Sequence, residues 1–297
     1  MSLVLVLTVL GTLALCWGPG HHLEFATRVW RRRREHLPRD VAQLLAEERD
    51  AYLYGNLAAD IINMKAYGGH HNHCHRWTII DEMRAQTVTP AGEAFVLGYL
   101  SHLAADTIAH NHFVPYHLVR YARGRGLGHL YWEMMADRHV PEERWQMIGP
   151  LKEKDTLSEL DQLINTTVPK KALPLGANKL IFDHVLLVSE RRAWRASMER
   201  LHPIEKVKLD RGFLARFQKP AVARVRLALT EKGRRALAHL DTTGKAAQKE
   251  AMQLRRHLVQ AHRPGRARDE AAQASAARFL EGMESPPAGH REGAPHW

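Results

Sequence analysis

Apolar positions recur at helical spacing through His22 to Trp30 and again from Val41 to Ile62, while sustained strand-like alternation is scarce. The pattern predicts an all-α chain. Further helices are expected at Trp77 to Arg84, at Ala91 to Ala109 after the start signal of Pro90, from about His129 to Asp137, and at Thr156 to Ile164 and Ala177 to Arg200. A Gly/His-rich loop from Tyr67 to His75 and a Gly-rich stretch from Gly124 to Gly128 interrupt this series. Beyond them, Phe213 to Leu240 and Thr243 to Ala261 read as helices with Arg and Lys on the polar face. After Ser285, Pro, Gly and His without periodicity predict disorder.

The amino-terminal pattern differs. Leu3 to Leu15 is a short apolar run, below the ~20 residues of a comfortable membrane span but suited to the apolar part of a secretory signal. Cleavage after Cys16, with Ala14 at −3, would release a chain beginning at Trp17. Against this stand the absence of Lys or Arg before the run and the cluster Arg28 and Arg31 to Arg34 after it. We expect an exported protein, periplasmic or secreted, that is membrane-anchored if the run is retained. The expected organisation is a signal segment 1–16, a helical domain 17–204, a basic helical extension 205–284 and a disordered tail 285–297.

Charge and histidine content change the picture. With 43 Lys plus Arg against 32 Asp plus Glu, the formal charge is +11, and residues 205–297 carry +9 of it. An anionic partner fits that balance. The 20 His residues are distributed the other way, 13 of them before residue 140 and mostly in short groups, and neutral imidazole is the commonest transition-metal ligand. Two cysteines, Cys16 and Cys74, exclude a disulfide framework. Internal repeats, a phosphate-cradling Gly loop and a Ser-His-Asp order are all lacking.

The strongest constellation is GYLSHLAADTIAHNHFVP, where His102, Asp106 and His110 lie four apart on one face of an otherwise apolar helix. Burying these among Leu, Ala and Ile is costly unless a cation or hydrogen-bond partners compensate. A hydrogen-bonded Asp–His pair is the alternative. His112 is off that face in a straight helix and would ligate only if the helix breaks near His110. His129 and Glu133 in GHLYWE again share a helix face, although such pairs also occur by chance at surfaces. The loop GGHHNHCHRW offers His70, His71, His73 and His75, or is simply solvated. Asp60 sits in the apolar context YLYGNLAADI, as ligand, cap or structural carboxylate, and His22 follows Trp17 by five residues.

In this order, Trp17, His22, Asp60, His75, His102-x3-Asp106 with a following His, then His129-x3-Glu133, the chain resembles the zinc-dependent phospholipases C. Fungal single-strand nucleases share the order. The segments TRVWRRRREHLPRDVAQLLAEERDAYLYGNLAAD and SHLAADTIAH are similar to the amino-terminal domain of glycosylphosphatidylinositol-specific phospholipase D. The resemblance runs from Trp17 to about Val140, more loosely to about residue 200, and does not reach the tail. It implies a multi-helix domain holding up to three zinc ions. Asp60, His75, His102 and Asp106 would hold one, with Asp106 bridging to another. His129, Glu133 and a third His would hold the second; the resemblance leaves His110, as in the phospholipase D branch, or His112, as in the phospholipase C and nuclease branches, with His110 favoured. The remaining ion would take Trp17, through its free amine and carbonyl, with His22 and Asp106.

A hydrolase follows from this resemblance: a zinc-dependent phosphodiesterase in which a metal-activated water cleaves phospholipid headgroup esters, with Asp60 either ligand or orienting base. A single-strand nuclease and a non-catalytic, metal-stabilised module for anions or membranes are the alternatives. The partner is then a phospholipid or another phosphodiester, with possible peripheral contact between anionic membrane and the basic region; no protein partner is inferred.

Overall fold

The structure, a computed structural model, describes residues 17–62, 73–121, 132, 135–152, 154–190 and 209–284. Among the described residues it is helical and without strands, as the apolar spacing predicts. The run at 1–16, the Gly-rich stretch 124–128, most of the helix expected from His129, residues 191–208 and the tail after residue 284 lie outside the described residues.

The organising element is a helix that is apolar all round, Pro90–Ile108, here α5. Its start is set locally. Thr89 accepts from Gly92 N at 3.1 Å, and Pro90 occupies the first turn, where a missing N–H costs nothing. Every residue from Ala94 to Ile108 is buried, as expected of a helix with no polar face. The longer helices before it are α1 (Pro19–Arg31), α2 (Arg39–Glu47), α3 (Arg49–Ala58) and α4 (Thr78–Arg84). The apolar stretch from Val41 to Ile62 is thus two helices, α2 and α3, with Glu48 departing from helical geometry at φ −111°, ψ 41°.

The α3 and α5 backbones approach unusually closely. A Cβ at Gly55 would lie 2.1 Å from Phe95 O, and one at Gly98 would lie 2.1 Å from Tyr52 O. These two glycines set how near the chain carrying Asn56 comes to the face carrying His102.

After Ile108 the helix does not break. It widens into a π turn, Ala109–Phe113, and continues as α6, Val114–Arg120. Pro115 gives the reason: it has no N–H for the carbonyl four residues back and its ring needs room in the turn before it, which a wider turn provides. The remaining longer helices are α7 (Asp161–Thr167), α8 (Leu175–Glu190), α9 (Arg211–Ala228), α10 (Glu231–Leu237), α11 (Lys245–Ala261) and α12 (Arg266–Ala276). The basic C-terminal helices are built into the core. α9 packs on α5 and α1, with Leu214, Phe217, Ala221 and Val225 buried, while α11 and α12 pack on α6. Phe213 to Leu240 is therefore two helices, split where Thr230 caps α10 by accepting from Gly233 N.

Replacing Gly98 by Ala is expected to destabilise the fold by roughly 1–3 kcal/mol, because the intruding methyl meets backbone. At about 2–4 °C per kcal/mol, a thermal melt resolves this from Gly149→Ala, a helical position whose added Cβ meets nothing within 4 Å.

Candidate metal centre

The centre forms where α1, the end of α3, the loop before α4, and α5 meet. α5 brings His102 and Asp106 onto one face, α1 brings His22, the chain after α3 brings Asp60, and the loop brings His75. All five are buried, His102 and Asp106 completely. His102 Nε2 lies 3.1 Å from Asp106 Oδ2, His75 Nε2 lies 3.2 Å from the same oxygen, and His22 Nε2 lies 3.3 Å from Asp106 Oδ1. Asp60 Oδ1 is 3.3 Å from His75 Nε2 and 3.6 Å from His102 Nε2. The His22 and His102 rings stack, with centroids 3.7 Å apart.

Hydrogen bonds do not satisfy all of these groups. Both carboxylate oxygens of Asp106 and both ring nitrogens of His22 are buried without a hydrogen-bond partner among the described residues. Leaving such groups unsatisfied costs about 1–3 kcal/mol each, more when charged. His102 shows how its ring is set: Nδ1–H donates to Asn56 O at 2.8 Å, so the Nε2 lone pair faces inward. Its Nε2 lies 3.1 Å from His75 Nε2. Inward-turned imidazole nitrogens around orphaned carboxylate oxygens are a fitting donor set for a divalent transition cation such as zinc.

The local electrostatics agree. Burial, and then the neighbouring His102, push His22 below its ordinary pKa, favouring the neutral imidazole that ligation requires. Burial pushes Asp106 upward, but His102 and the imidazoles of His22 and His75 outweigh it and hold the carboxyl well below the usual range.

The other expected residues fall into three groups. Trp17 is fully buried, donates its indole N–H to Ala105 O at 3.3 Å and stacks on Phe113, which places it against the helix that carries Asp106. His110 and His112 lie in the π turn with partners of their own. Gln248 Nε2 donates to Thr243 O at 2.9 Å and also meets His110 Nδ1 at 3.1 Å. His110 Nδ1 is then an acceptor, and a neutral His110 carries its proton on Nε2. His112 Nδ1 instead faces Phe279 O at 3.0 Å, and a carbonyl can only accept, so the lone pair is on Nε2. Burial and the Arg224 guanidinium push His112 down to about 4, keeping it neutral. His112 thus holds the ligand tautomer and His110 the donor tautomer. His129, Glu133, His70 and His71 lie outside the described residues, whereas His73, Cys74 and His75 form a further potential ligand group.

Sequence reasoning missed the groups that aim the ligands. The buried Asp137 accepts from Gly20 N at 3.1 Å, His21 N at 3.3 Å and His21 Nδ1 at 2.6 Å, fixing the start of α1 one residue before His22. A Cβ at Gly18 would lie 2.2 Å from Asp137 Oδ2, which explains the glycine there. Tyr99 donates to Cys74 O at 2.8 Å, and Cys74 Sγ meets His75 Nδ1 at 3.2 Å. No signal in the sequence marks these long-range pairs, except the glycines beside Trp17.

Residues 21–172 match the family described as zinc dependent phospholipase C. No curated protein and no solved structure matches the chain.

Zinc added to metal-stripped protein is expected to raise its melting temperature, since a ligand at about 1,000 times its Kd adds roughly 4 kcal/mol to the native state. Asp106→Asn should remove that rise, with helical circular dichroism retained as the check on folding. Because carboxylate and imidazoles must be deprotonated to bind, zinc affinity should fall with decreasing pH, measured by competition with a chelator.

Proposed function

Because the chain belongs to the zinc-dependent phospholipase C family, we propose that it is a zinc-dependent phosphodiesterase that hydrolyses phospholipid headgroup esters. The observation that carries this reading is the buried Asp106, its two oxygens without hydrogen-bond partners among the described residues and faced by His22, His75 and His102. Zinc bound there supplies Lewis acidity toward the phosphoryl oxygens and makes water nucleophilic near neutral pH. His75, His102, Asp60 and Asp106 would hold one ion, and His22 with Asp106 another, together with the amine of Trp17 if cleavage frees it. His129, Glu133 and His112 complete the proposed ligand set, His112 being preferred to His110 for its tautomer.

The chain's own groups have defined tasks. Asn56 O holds the proton on His102 Nδ1, so the opposite nitrogen stays available. Asp60, with Oδ1 toward His75 and His102, orients the attacking water and accepts its proton. The water oxygen bonds to phosphorus as the ester P–O bond opens, and the proton taken up by Asp60 passes to the leaving oxygen, which departs as the alcohol. The apolar surroundings of α5 exclude bulk water and strengthen each of these interactions.

The C-terminal helices carry the second part of the proposal. Lys219, Arg226, Lys249, Arg256 and Arg263 are exposed and, among the described residues, form no ion pair, a surface suited to peripheral contact with anionic lipid. No described helix is long and apolar enough to cross a membrane. Export with cleavage before Trp17 belongs to the same proposal.

Incubation with phosphatidylcholine and with single-stranded DNA tests the substrate class. Release of a phosphorylated, water-soluble headgroup, abolished by a chelator and restored by zinc, is the expected result. Asp60→Asn should lower kcat by at least ~100-fold. DNA cleavage without lipid turnover would instead favour the nuclease reading.

Sedimentation with vesicles containing phosphatidylserine tests the basic surface. Binding should weaken with salt and on reversing Lys249, Arg256 and Arg263 to Glu, since each basic residue near such a surface contributes ~1 kcal/mol.

A further inference from the structure

Residues 209–284 lie beyond the family match at 21–172, yet one short stretch of them reaches the candidate ligands directly. The turn between α10 and α11 lies against both the His75 loop and the π turn. The buried Thr242 hydroxyl donates to His75 O, and Leu240 O accepts from Trp77 Nε1 at 2.7 Å. On the other side, Asn111 Nδ2 donates to Asp241 O at 2.6 Å and Gln248 Nε2 to His110 Nδ1 at 3.1 Å. Gly244, at φ +59°, sits so close to the π turn that a Cβ would fall 2.3 Å from His110 O. The turn is itself braced: Asp241 Oδ1 accepts from Thr243 N and Oδ2 from Lys245 N, both at 2.8 Å. Further along, Phe279 O is the acceptor for His112 Nδ1–H.

We propose that the segment 240–248, together with the Phe279 carbonyl, is a positioning element of the metal centre, with Thr242 as its positioning residue. Thr242 fixes the backbone from which His75 projects. Phe279 O turns the lone pair of His112 onto Nε2, while Gln248, its nitrogen identified by the Thr243 carbonyl, holds His110 in the other tautomer. Groups that orient metal ligands from outside govern affinity through geometry, and here they come from helices the family match does not include. The inference rests on the metal centre of the proposed function.

The test uses the full chain, with zinc affinity read by chelator competition and ligand geometry by the visible spectrum of the Co²⁺-substituted protein. Thr242→Val is expected to weaken zinc binding by roughly 10-fold to 100-fold and to shift the Co²⁺ bands. Thr242→Ser, which keeps the hydroxyl, should bind as the parent does. Thr230→Ala removes a helix cap in the same region away from the ligands, and should lower the melting temperature of the metal-free chain with affinity unchanged. Parent-like affinity and spectra in Thr242→Val, or equal weakening by Thr230→Ala, would overturn the inference while leaving the metal centre intact. A parent chain that binds no zinc would remove both.

Discussion

The rest of the structure is arranged around a carboxylate buried in the middle of an apolar helix. Asp106 is fully enclosed, one turn after His102, on a helix whose residues from Ala94 onward are all buried. An isolated charge there would cost an amount comparable with the net stability of a whole domain. The protein therefore surrounds it with imidazoles from three separate parts of the chain, and each of those must be held against its own freedom to rotate. The glycine contact between α3 and α5, the Asp137 bracket at the start of α1 and the Asn56 carbonyl all serve that requirement.

Stability and function draw on the same contacts. Gly55 and Gly98 allow two backbones to touch, and that approach brings Asn56 O within 2.8 Å of the His102 ring. Trp17 fills core space while lying against the helix that bears Asp106. The π turn is a local answer to Pro115, and it presents His110 and His112 to different partners with opposite tautomers. Two neighbouring imidazoles of one chemical type thereby acquire different chemical capacities.

Much of the helical pattern was legible, because an apolar stripe of period 3.6 is local information. α5 was readable from Pro90 and its apolar run, and α9 and α10 from their Arg-lined stripes, although the caps at Glu48 and Thr230 divided two stretches that periodicity alone ran together. Five ligand candidates that converge, His22, Asp60, His75, His102 and Asp106, were visible as polar residues misplaced in apolar surroundings. Their partners were not visible, since Asn56 and Asp137 look like ordinary polar residues until the fold sets them beside a ring.

By itself, then, the sequence determined the helices, the polar residues that would be costly to bury, and the excess of positive charge at the C-terminal end. Each of these depends on residue type and short-range spacing. Only the tertiary structure decided which ring nitrogen of His112 faces a carbonyl, how His112 differs from His110, and that a turn between basic helices far along the chain contacts the His75 loop and the π turn. Those outcomes depend on hydrogen bonds between residues more than a hundred positions apart, such as Thr242 to His75 and Gln248 to His110, and no local pattern encodes a pairing that exists only after the chain has closed on itself.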